Sequence, residues 1–274
     1  MLITVIIVII LIVLLVLFMT KPNNSRKKEW DKLTAGKLFA HRGLFNNESD
    51  HPENSLPAFK LAVENNYGIE LDVQLTKDKQ LVVHHDLSLK RSTGMDLDVN
   101  QLTYEELQNL PLFISQETIP LFTEVLKVID GKVPLIVEIK VDYDYLETTV
   151  MTNEILKNYT GNYCVESFNP LAVKWYRQHR PDIIRGQLST DYFNDHMNTN
   201  IFIKFIMTNY LSNFLTRPDF VADNFKFANR FGYQLQHSFW HANTICWTPK
   251  NKINLEDAKK NFDAYIFDSF DPRK

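Results

Sequence analysis

Two acidic residues, Glu70 and Asp72, lie two positions apart within an apolar run of the chain. Acidic and apolar side chains alternate over residues 69–73, and this alternation is typical of a β-strand. Side chains two apart on a strand point to the same face, so we expect the two carboxylates to stand side by side. Carboxylates that close resist ionising together, whereas a divalent cation between them removes the conflict. A solvent-exposed hairpin with an acidic face is the competing interpretation.

Further titratable or aromatic side chains stand at or near the ends of other short apolar runs. They are His41, Arg42, His84, His85, Asp86, Glu138, Lys140 and Trp247. Glu138 and Lys140 share a strand face by the same two-residue rule, which indicates a site, with a surface ion pair as the alternative. Adjacent strand residues face opposite ways, so His84 and His85 cannot share one role. Imidazoles have an unperturbed pKa of about 6.5, so a pair of them can take and give a proton near neutral pH.

The elements that position these side chains are short apolar strands alternating with helices, a pattern that favours a parallel sheet and an α/β fold. The predicted strands cover residues 38–40, 69–73, 81–83, 134–140, 163–168, 183–188, 219–223, 243–248 and 264–268, and predicted helices begin near residues 55, 103, 121, 170 and 201. Nine strands are one more than an eight-stranded barrel needs, and a hairpin within residues 68–86 accounts for the surplus. In such barrels the chemistry lies where the strands end.

The amino-terminal stretch predicts a membrane anchor over residues 1–20, followed by a linker over 21–37 and the barrel domain over 38–274. Residues 2–19 are apolar except Thr4, and eighteen helical residues span about 27 Å, close to one hydrocarbon core. A cleaved signal peptide is the alternative, but no basic residue precedes the run. The basic residues that follow it, Lys21, Arg26, Lys27 and Lys28, predict a single-pass protein of the cell membrane with a cytoplasmic domain.

Composition narrows the class of protein. The chain has 274 residues, 45% of them hydrophobic, and its formal net charge of −3 gives no basic excess that would favour nucleic acid as a partner. Two cysteines, Cys164 and Cys246, lie in apolar runs and are expected to be buried free thiols. The aromatic-rich run 201–215 contains Lys204 and two asparagines, so it predicts a buried amphipathic helix or a membrane-touching surface rather than a second span.

Taken together in order, these motifs resemble one family of enzymes. The matching segments are His41-Arg42-Gly43, Pro52-Glu53-Asn54-Ser55, Glu70-Leu71-Asp72-Val73, Val83-His84-His85-Asp86 and Glu138-Ile139-Lys140. This ordered set resembles the glycerophosphodiester phosphodiesterase family, and the match extends over nearly all of the chain after the linker. The resemblance implies a TIM (β/α)8 barrel and hydrolysis of glycerophosphodiesters, which are small-molecule substrates, to glycerol phosphate and an alcohol.

The resemblance also implies roles for individual residues. His41 and His85 correspond to the acid–base pair, Glu70, Asp72 and Glu138 to the metal ligands, and Arg42, Lys140 and Trp247 to the substrate and phosphate contacts. All-oxygen ligands favour one divalent cation, Ca²⁺ or Mg²⁺, over zinc. The sequence departs from the family pattern at Ser55, at Pro249-Lys250 after the Trp-Thr motif, and in the closing segment 268–272. The later departures lie on the substrate side, so they concern the leaving alcohol more than the reaction.

Three functions are therefore compared. The first is a membrane-anchored, metal-dependent phosphodiesterase, with lysophospholipase D-type activity on membrane lysolipids as its variant. The second is a non-catalytic barrel that binds phosphodiesters at the membrane. The third is a domain in which a metal ion is only structural. Intact acidic and histidine motifs favour the first.

Overall fold

The computed structural model describes residues 1–36, 38–140 and 144–273. The final residues of the predicted linker and domain, Lys37 and Lys274, lie outside the described residues. The described residues form nine strands: β1 (Leu38–His41), β2 (Gly68–Leu75), β3 (Leu81–Val83), β4 (Leu135–Ile139), β5 (Tyr163–Ser167), β6 (Ile184–Ser189), β7 (Phe220–Asn224), β8 (Asn243–Trp247) and β9 (Ala264–Phe267).

Eight of these strands form a closed parallel barrel, as the alternation of strands and helices predicts. The order runs β1, β2, β4, β5, β6, β7, β8 and β9, and β9 pairs with β1 to close the ring. The ninth strand, β3, pairs antiparallel with the end of β2, so the predicted hairpin does account for the surplus strand. In this register His41 lies opposite Glu70, and Glu138 lies between Asp72 and Glu166.

Helices surround the barrel, and one further helix precedes it. They are α1 (Leu2–Thr20), α2 (Lys27–Thr34), α3 (Leu56–Glu64), α4 (Lys90–Thr93), α5 (Tyr104–Leu107), α6 (Phe122–Ile129), α7 (Tyr145–Leu156), α8 (Pro170–His179), α9 (Ile201–Thr208), α10 (Asn213–Thr216), α11 (Phe231–Gln234) and α12 (Lys252–Ala258). Single turns of 3₁₀ helix cover Val99–Gln101 and Phe225–Phe227, and Leu235–Phe239 is a short π-helix. Capping follows the sequence, since Ser55 accepts a hydrogen bond from the Ala58 amide at the start of α3.

The alternation within β2 separates the core from the site. Ile69, Leu71 and Val73 are fully buried and pack outward against the helices, together with Phe59 of α3 and Phe122 of α6. The opposite face of the same strand points into the barrel, which is where the acidic side chains lie. Both faces of β2 are thus buried: one packs against apolar side chains, and the other carries the polar side chains of the site.

Part of the predicted linker is folded onto the domain. Helix α2 lies within residues 21–37, and its Trp30 and Leu33 are buried with residues of the barrel interior. The Trp30 ring stacks on Phe220, the first residue of β7, at 4.5 Å between centroids. The helix therefore covers the amino ends of the strands, which we call the closed end. Only one side of this short helix is apolar, and the rest of the segment is polar. The sequence of the segment therefore predicted a linker.

The run 201–215 is not one helix. It divides into α9 and α10, and the residues between them include Tyr210, whose φ of +57° interrupts helical geometry. The Tyr210 ring is fully buried and its hydroxyl donates to Asp223. Tertiary burial of this side chain therefore breaks a segment whose local composition favours one continuous helix. Most apolar side chains of α9 are exposed rather than buried.

Candidate active site

The site lies at the carboxyl ends of the barrel strands, opposite the closed end. A cavity of about 420 Å³ opens there, and all the predicted site residues except Asp72 line it. Asp72 is completely buried beneath the cavity floor. We call this end the mouth. Residues that are far apart in the chain meet here because each follows or ends a separate strand.

The predicted acidic triad is assembled. Glu70, Asp72 and Glu138 are all buried, and one carboxylate oxygen from each lies within 4.8 Å of the others. Burial, then repulsion from the other two carboxylates, raises the pKa of Glu70 well above its usual value. Burial likewise raises the pKa of Glu138 to about 7, although Lys140 opposes the shift. The triad is therefore costly to ionise fully without added positive charge.

The three carboxylates fit a divalent cation. Two oxygen ligands on opposite sides of a calcium ion are separated by up to about 5 Å, which accommodates the observed spacing. Hard cations prefer such all-oxygen sets. Lys140 already supplies one positive charge to this cluster, with its Nζ 2.7 Å from Glu138 Oε1 and 3.1 Å from Asp72 Oδ1. Burial opposes ionisation of Asp72, but Lys140, with Arg42 also nearby, keeps the pKa of this carboxyl well below its usual value.

The two predicted histidines face each other across the mouth, with ring centroids 6.4 Å apart. His85 Nδ1 lies 2.6 Å from Asp86 Oδ1, and a carboxylate only accepts, so Nδ1 carries the hydrogen and Nε2 keeps its lone pair. Burial, helped by Lys140, lowers the pKa of His85 to about 4. The His84 ring does not line the cavity. Its two nitrogens form hydrogen bonds with the Asp86 carbonyl and the Ser92 hydroxyl.

His41 is held between two carboxylates. Its Nε2 lies 3.8 Å from Glu70 Oε2, and its Nδ1 lies 3.7 Å from Asp268 Oδ2. Both distances exceed hydrogen-bond length, and Nδ1 is buried without a hydrogen-bond partner. Burial, followed by the neighbouring Arg42, lowers the pKa of His41. Both imidazoles are thus favoured in their neutral form, in which one ring nitrogen can accept a proton.

Arg42 connects the site to the loop that precedes α3. Its φ of +56° is unusual for a residue with a side chain, and the next residue, Gly43, also has a positive φ. A Cβ at Gly43 would meet the backbone of Ala58 at 2.8 Å, so only glycine fits this turn. The Arg42 Nη1 donates to Glu53 at 2.8 Å, while Nε is buried without a hydrogen-bond partner. This nitrogen lies 3.7 Å from Asp72 Oδ2, so Arg42 also contributes positive charge to the acidic triad.

The mouth also has aromatic walls. Trp247 lines the cavity and its ring meets Phe168 edge-on, with centroids 5.9 Å apart. Phe45 also lines this cavity. Trp247 Nε1 is buried without a hydrogen-bond partner.

Several site residues were not singled out by the sequence. Glu166 lines the cavity and is only 1% exposed. Its Oε2 is buried without a hydrogen-bond partner. Burial and repulsion from Glu138 raise the pKa of Glu166 well above its usual value. Its position as a lone acid in an apolar strand run was a usable signal. Asp268, by contrast, could be placed beside His41 only by the pairing of β9 with β1.

A chain of ion pairs links the two sides of the mouth. Arg91 donates through both terminal nitrogens to Glu53, at 2.9 and 2.6 Å, and through Nε to Asp86. Glu53 in turn accepts from Arg42, so His85, Asp86, Arg91, Glu53 and Arg42 form one connected set. Bidentate pairs of this type fix geometry as well as charge. The network holds His85 and Arg42 in a defined mutual position.

The fold and the site define the class: an α/β barrel enzyme architecture whose ionisable groups converge at the carboxyl ends of the strands. Comparison with known proteins makes the class specific. The pattern of the glycerophosphoryl diester phosphodiesterase family matches residues 41–269, which contain every predicted site residue. The chain therefore belongs to this family.

Curated relatives carry related names. The chain is 42% identical over 111 residues to a glycerophosphodiester phosphodiesterase of Bacillus altitudinis, covering 38% of this chain and 44% of the relative. It is 35% identical over 162 residues to a glycerophosphodiester phosphodiesterase of Caldanaerobacter subterraneus subsp. tengcongensis, covering 55% of this chain and 65% of the relative. A lysophospholipase D of Rattus norvegicus is 32% identical over 143 residues, covering 51% and 42%. The chain thus spans between two fifths and two thirds of the length of these relatives.

Solved structures support the fold. A phosphodiesterase of Oleispira antarctica, determined with the product sn-glycerol-3-phosphate, aligns with a TM-score of 0.69 over 86% of this chain and 94% of that one, at 22% identity. A glycerophosphodiester phosphodiesterase of Thermotoga maritima aligns with a TM-score of 0.64 over 84% and 93%, at 24% identity.

Proposed function

We propose that the protein hydrolyses glycerophosphodiesters to sn-glycerol 3-phosphate and an alcohol, by two-histidine acid–base catalysis with one divalent cation, Ca²⁺ or Mg²⁺. The observation that supports this most is the convergence of a buried acidic triad and two neutral imidazoles on one cavity. Membership of the family supports the reaction type.

Positive charge at the mouth serves the anionic substrate. A cation held by Glu70, Asp72 and Glu138 supplies charge neutralisation for a phosphodiester, which otherwise repels nucleophiles. Arg42 and Lys140 both line the cavity, so the guanidinium and the ammonium offer positive charge to the phosphate oxygens. These groups orient the phosphorus towards the two imidazoles.

The histidines move the protons. One imidazole accepts the proton of the substrate's own glycerol hydroxyl as that oxygen forms a bond to phosphorus. The bond from phosphorus to the alcohol oxygen breaks, and the other imidazole, whose protonated form the bound phosphate anion favours, donates its proton to the departing alcohol. Water then opens the resulting cyclic phosphate with the two roles exchanged, which restores both residues. Both rings line the same cavity, with centroids 6.4 Å apart, so both can reach one phosphoryl group bound in it.

A substrate assay tests this function. Purified full-length protein is given glycerophosphocholine, glycerophosphoethanolamine or glycerophosphoglycerol with each metal in turn, and release of glycerol phosphate is measured. Replacing His85 by alanine is expected to lower kcat by about 10²–10⁴-fold. His179→Ala is the matched control, because its ring stacks on Trp175 on the outer helix α8, away from the mouth. Equal rates for wild type and His41→Ala would contradict catalysis and favour the phosphodiester-binding module.

Lysophospholipase D-type activity is the second candidate. Exposed apolar side chains on α9 and the similarity to the rat lysophospholipase D favour a substrate presented at a membrane. Adding lysophosphatidylcholine to the same panel separates the candidates, since this activity releases lysophosphatidic acid. A kcat/KM for lysolipids above that for glycerophosphodiesters would favour the second candidate.

We further propose that α1 anchors the protein in the cell membrane as a single span, with the domain in the cytoplasm. It is the one described helix that is long and apolar enough to cross a bilayer, and it is exposed over most of its length. Its end packs on the domain, since Asn213 and Gln236 both donate to the Thr20 carbonyl. Protease treatment of intact and opened cells tests the side: protection of the domain until the cells are opened is expected, and cleavage in intact cells would contradict it.

A further inference from the structure

A set of exposed apolar side chains, which we call the apolar face, covers the outside of α9 and two neighbouring positions. It consists of Ile201, Phe202, Ile203, Phe205, Ile206, Phe231 and Phe239. Phe202 is 78% exposed and Phe231 is 72% exposed. Burying a side chain of this size gains about 1.5–3 kcal/mol, so leaving several exposed together indicates a surface that meets an apolar phase.

Packing contacts connect the segment of Phe231 to α9 and that of Phe239 to the anchor. Arg230 Nε donates to the Thr208 carbonyl at 3.1 Å, and a Cβ at Gly232 would collide with the same carbonyl. The segment that contains Phe231 therefore packs on the carboxyl end of α9. Phe239 contacts Trp240 edge-on, with centroids 4.9 Å apart, and Trp240 reaches the anchor.

The apolar face adjoins the point where the anchor leaves the domain. Trp240 Nε1 donates to the Thr20 hydroxyl at 3.1 Å, and Phe18 contacts Phe214 of α10 at 6.3 Å between centroids. Arg217 donates to the carbonyls of Phe18 and Lys21. Helix α10 begins five residues after α9 ends, and α9 itself is about 12 Å long.

These contacts restrict how the domain can sit on a membrane. The last turn of α1 is held by side chains of the domain rather than by a free tether, so the domain cannot swing away from the bilayer surface. A bilayer around α1 places its headgroup layer near residues 16–21, beside α10 and the apolar face. Trp240 and Lys21, whose Nζ lies 5.9 Å from the indole ring, supply the aromatic and basic groups that favour this layer.

We propose that the apolar face inserts into the interfacial layer of the same membrane that holds α1. The protein then has two membrane contacts, a span and a surface helix, and the orientation of the mouth relative to the lipid is fixed. This inference rests on the proposed anchor, but the apolar face contacts the membrane separately from α1. Insertion to a depth of about 5–10 Å is typical of surface helices with an apolar side.

A depth measurement on the full-length protein tests the proposal. A single environment-sensitive dye is attached through Phe202→Cys, Phe205→Cys, Ile10→Cys or Lys60→Cys, with the protein at one copy per phosphatidylcholine–phosphatidylglycerol nanodisc. The native Cys164 and Cys246 are fully buried and stay unlabelled in the folded protein. Lys60 is the control because it is exposed on α3, which packs against α6 and β2.

The expected result is blue-shifted emission and at least twofold quenching by shallow doxyl lipids at positions 202 and 205, with neither at position 60. Quenching at position 10 alone would overturn the apolar-face proposal and leave the anchor in place. No quenching at any position would overturn both. Blue-shifted emission at 202 without lipid quenching would mean that another protein surface covers the face, which also overturns the proposal.

A second variant measures the consequence. Phe202→Asp combined with Phe205→Asp is expected to leave hydrolysis of soluble glycerophosphocholine unchanged, because neither residue lines the mouth. The same variant is expected to show no blue shift or quenching when labelled at Ile206→Cys, whereas the parent labelled there shows both. Equal quenching in the two proteins would contradict insertion driven by these side chains.

Discussion

The closed end of the barrel and the mouth both bury charged side chains, but they pair them differently. At the closed end, Asp219 accepts from the Arg185 amide at 3.1 Å, from the Arg185 guanidinium at 3.3 Å and from Asn23 at 2.6 Å. Arg26 lies 3.8 Å away. One carboxylate is therefore surrounded by donors that belong to the fold.

At the mouth the balance is reversed. Glu70, Asp72, Glu138 and Glu166 are all buried, while Lys140 and Arg42 are the cations nearest to them. Burial and mutual repulsion raise the pKa of three of these acids, and several polar atoms there lack hydrogen-bond partners. The comparison shows that a buried carboxylate with a complete set of donors belongs to the fold, whereas an excess of buried carboxylates leaves a cluster that could hold a cation.

The largest expected effect comes from the mouth. Glu70→Gln removes one triad carboxylate, and we expect kcat for glycerophosphocholine to fall by about 10³-fold or more, since charge stabilisation by a bound cation is worth several kcal/mol. Thermal stability is expected to hold or rise, because repulsion within the triad is reduced. Parallel kinetic assays and melting curves measure both. A variant that loses thermal stability but keeps the wild-type kcat would contradict the proposed distinction between the two ends.

The matched change at the closed end should have the opposite signature. Asp219→Ala leaves the buried Arg185 without its carboxylate, so we expect the free energy of unfolding to fall by about 3–5 kcal/mol. The kcat of the folded fraction should stay near the wild-type value. Urea unfolding gives the first quantity and initial rates below the transition give the second. A large loss of kcat at full stability would show that the two ends are not independent.

Cation binding sharpens the comparison further. At a calcium concentration 100 times the dissociation constant, the free energy of unfolding should rise by about 2.7 kcal/mol, because the folded site binds and the unfolded chain does not. Glu138→Gln should lose this gain and Asp219→Asn should keep it. Thermal melts with calcium or with chelator measure the shift. An equal gain in both variants would place the cation outside the triad.

The smallest effect concerns the ion-pair network beside the mouth. Burial opposes ionisation of Glu53. Hydrogen bonds and positive charge from Arg91 and Arg42 outweigh burial and lower the pKa of Glu53 from 4.5 to about 2. A lowered carboxyl pKa stabilises the fold fully above pH 4.5 and less as the pH falls towards 2. The stability advantage of wild type over Glu53→Gln should therefore shrink by about 2 kcal/mol between pH 6 and pH 3. Urea unfolding at the two pH values measures it, and a constant advantage would contradict the ion pairing.

Much of the fold and the site could be predicted from the sequence. The alternation around Glu70 and Asp72 assigned one face of β2 to the core and the other to chemistry, and the structure confirms that division. Alternating strands and helices predicted the barrel, and the adjacency of His84 and His85 predicted their separate environments. These features depend on local geometry, which repeats every two residues along a strand.

Other features depended on contacts between distant segments. The position of Asp268 beside His41, the ion pairs of Glu53 with Arg91, and the packing of α2 on the closed end follow from how the barrel closes. The break at Tyr210 follows from burial of one ring. The sequence by itself determined which residue types face inward and in what order they occur. Only the tertiary structure decided their distances and charge partners, because these are set by packing between elements that local periodicity does not describe.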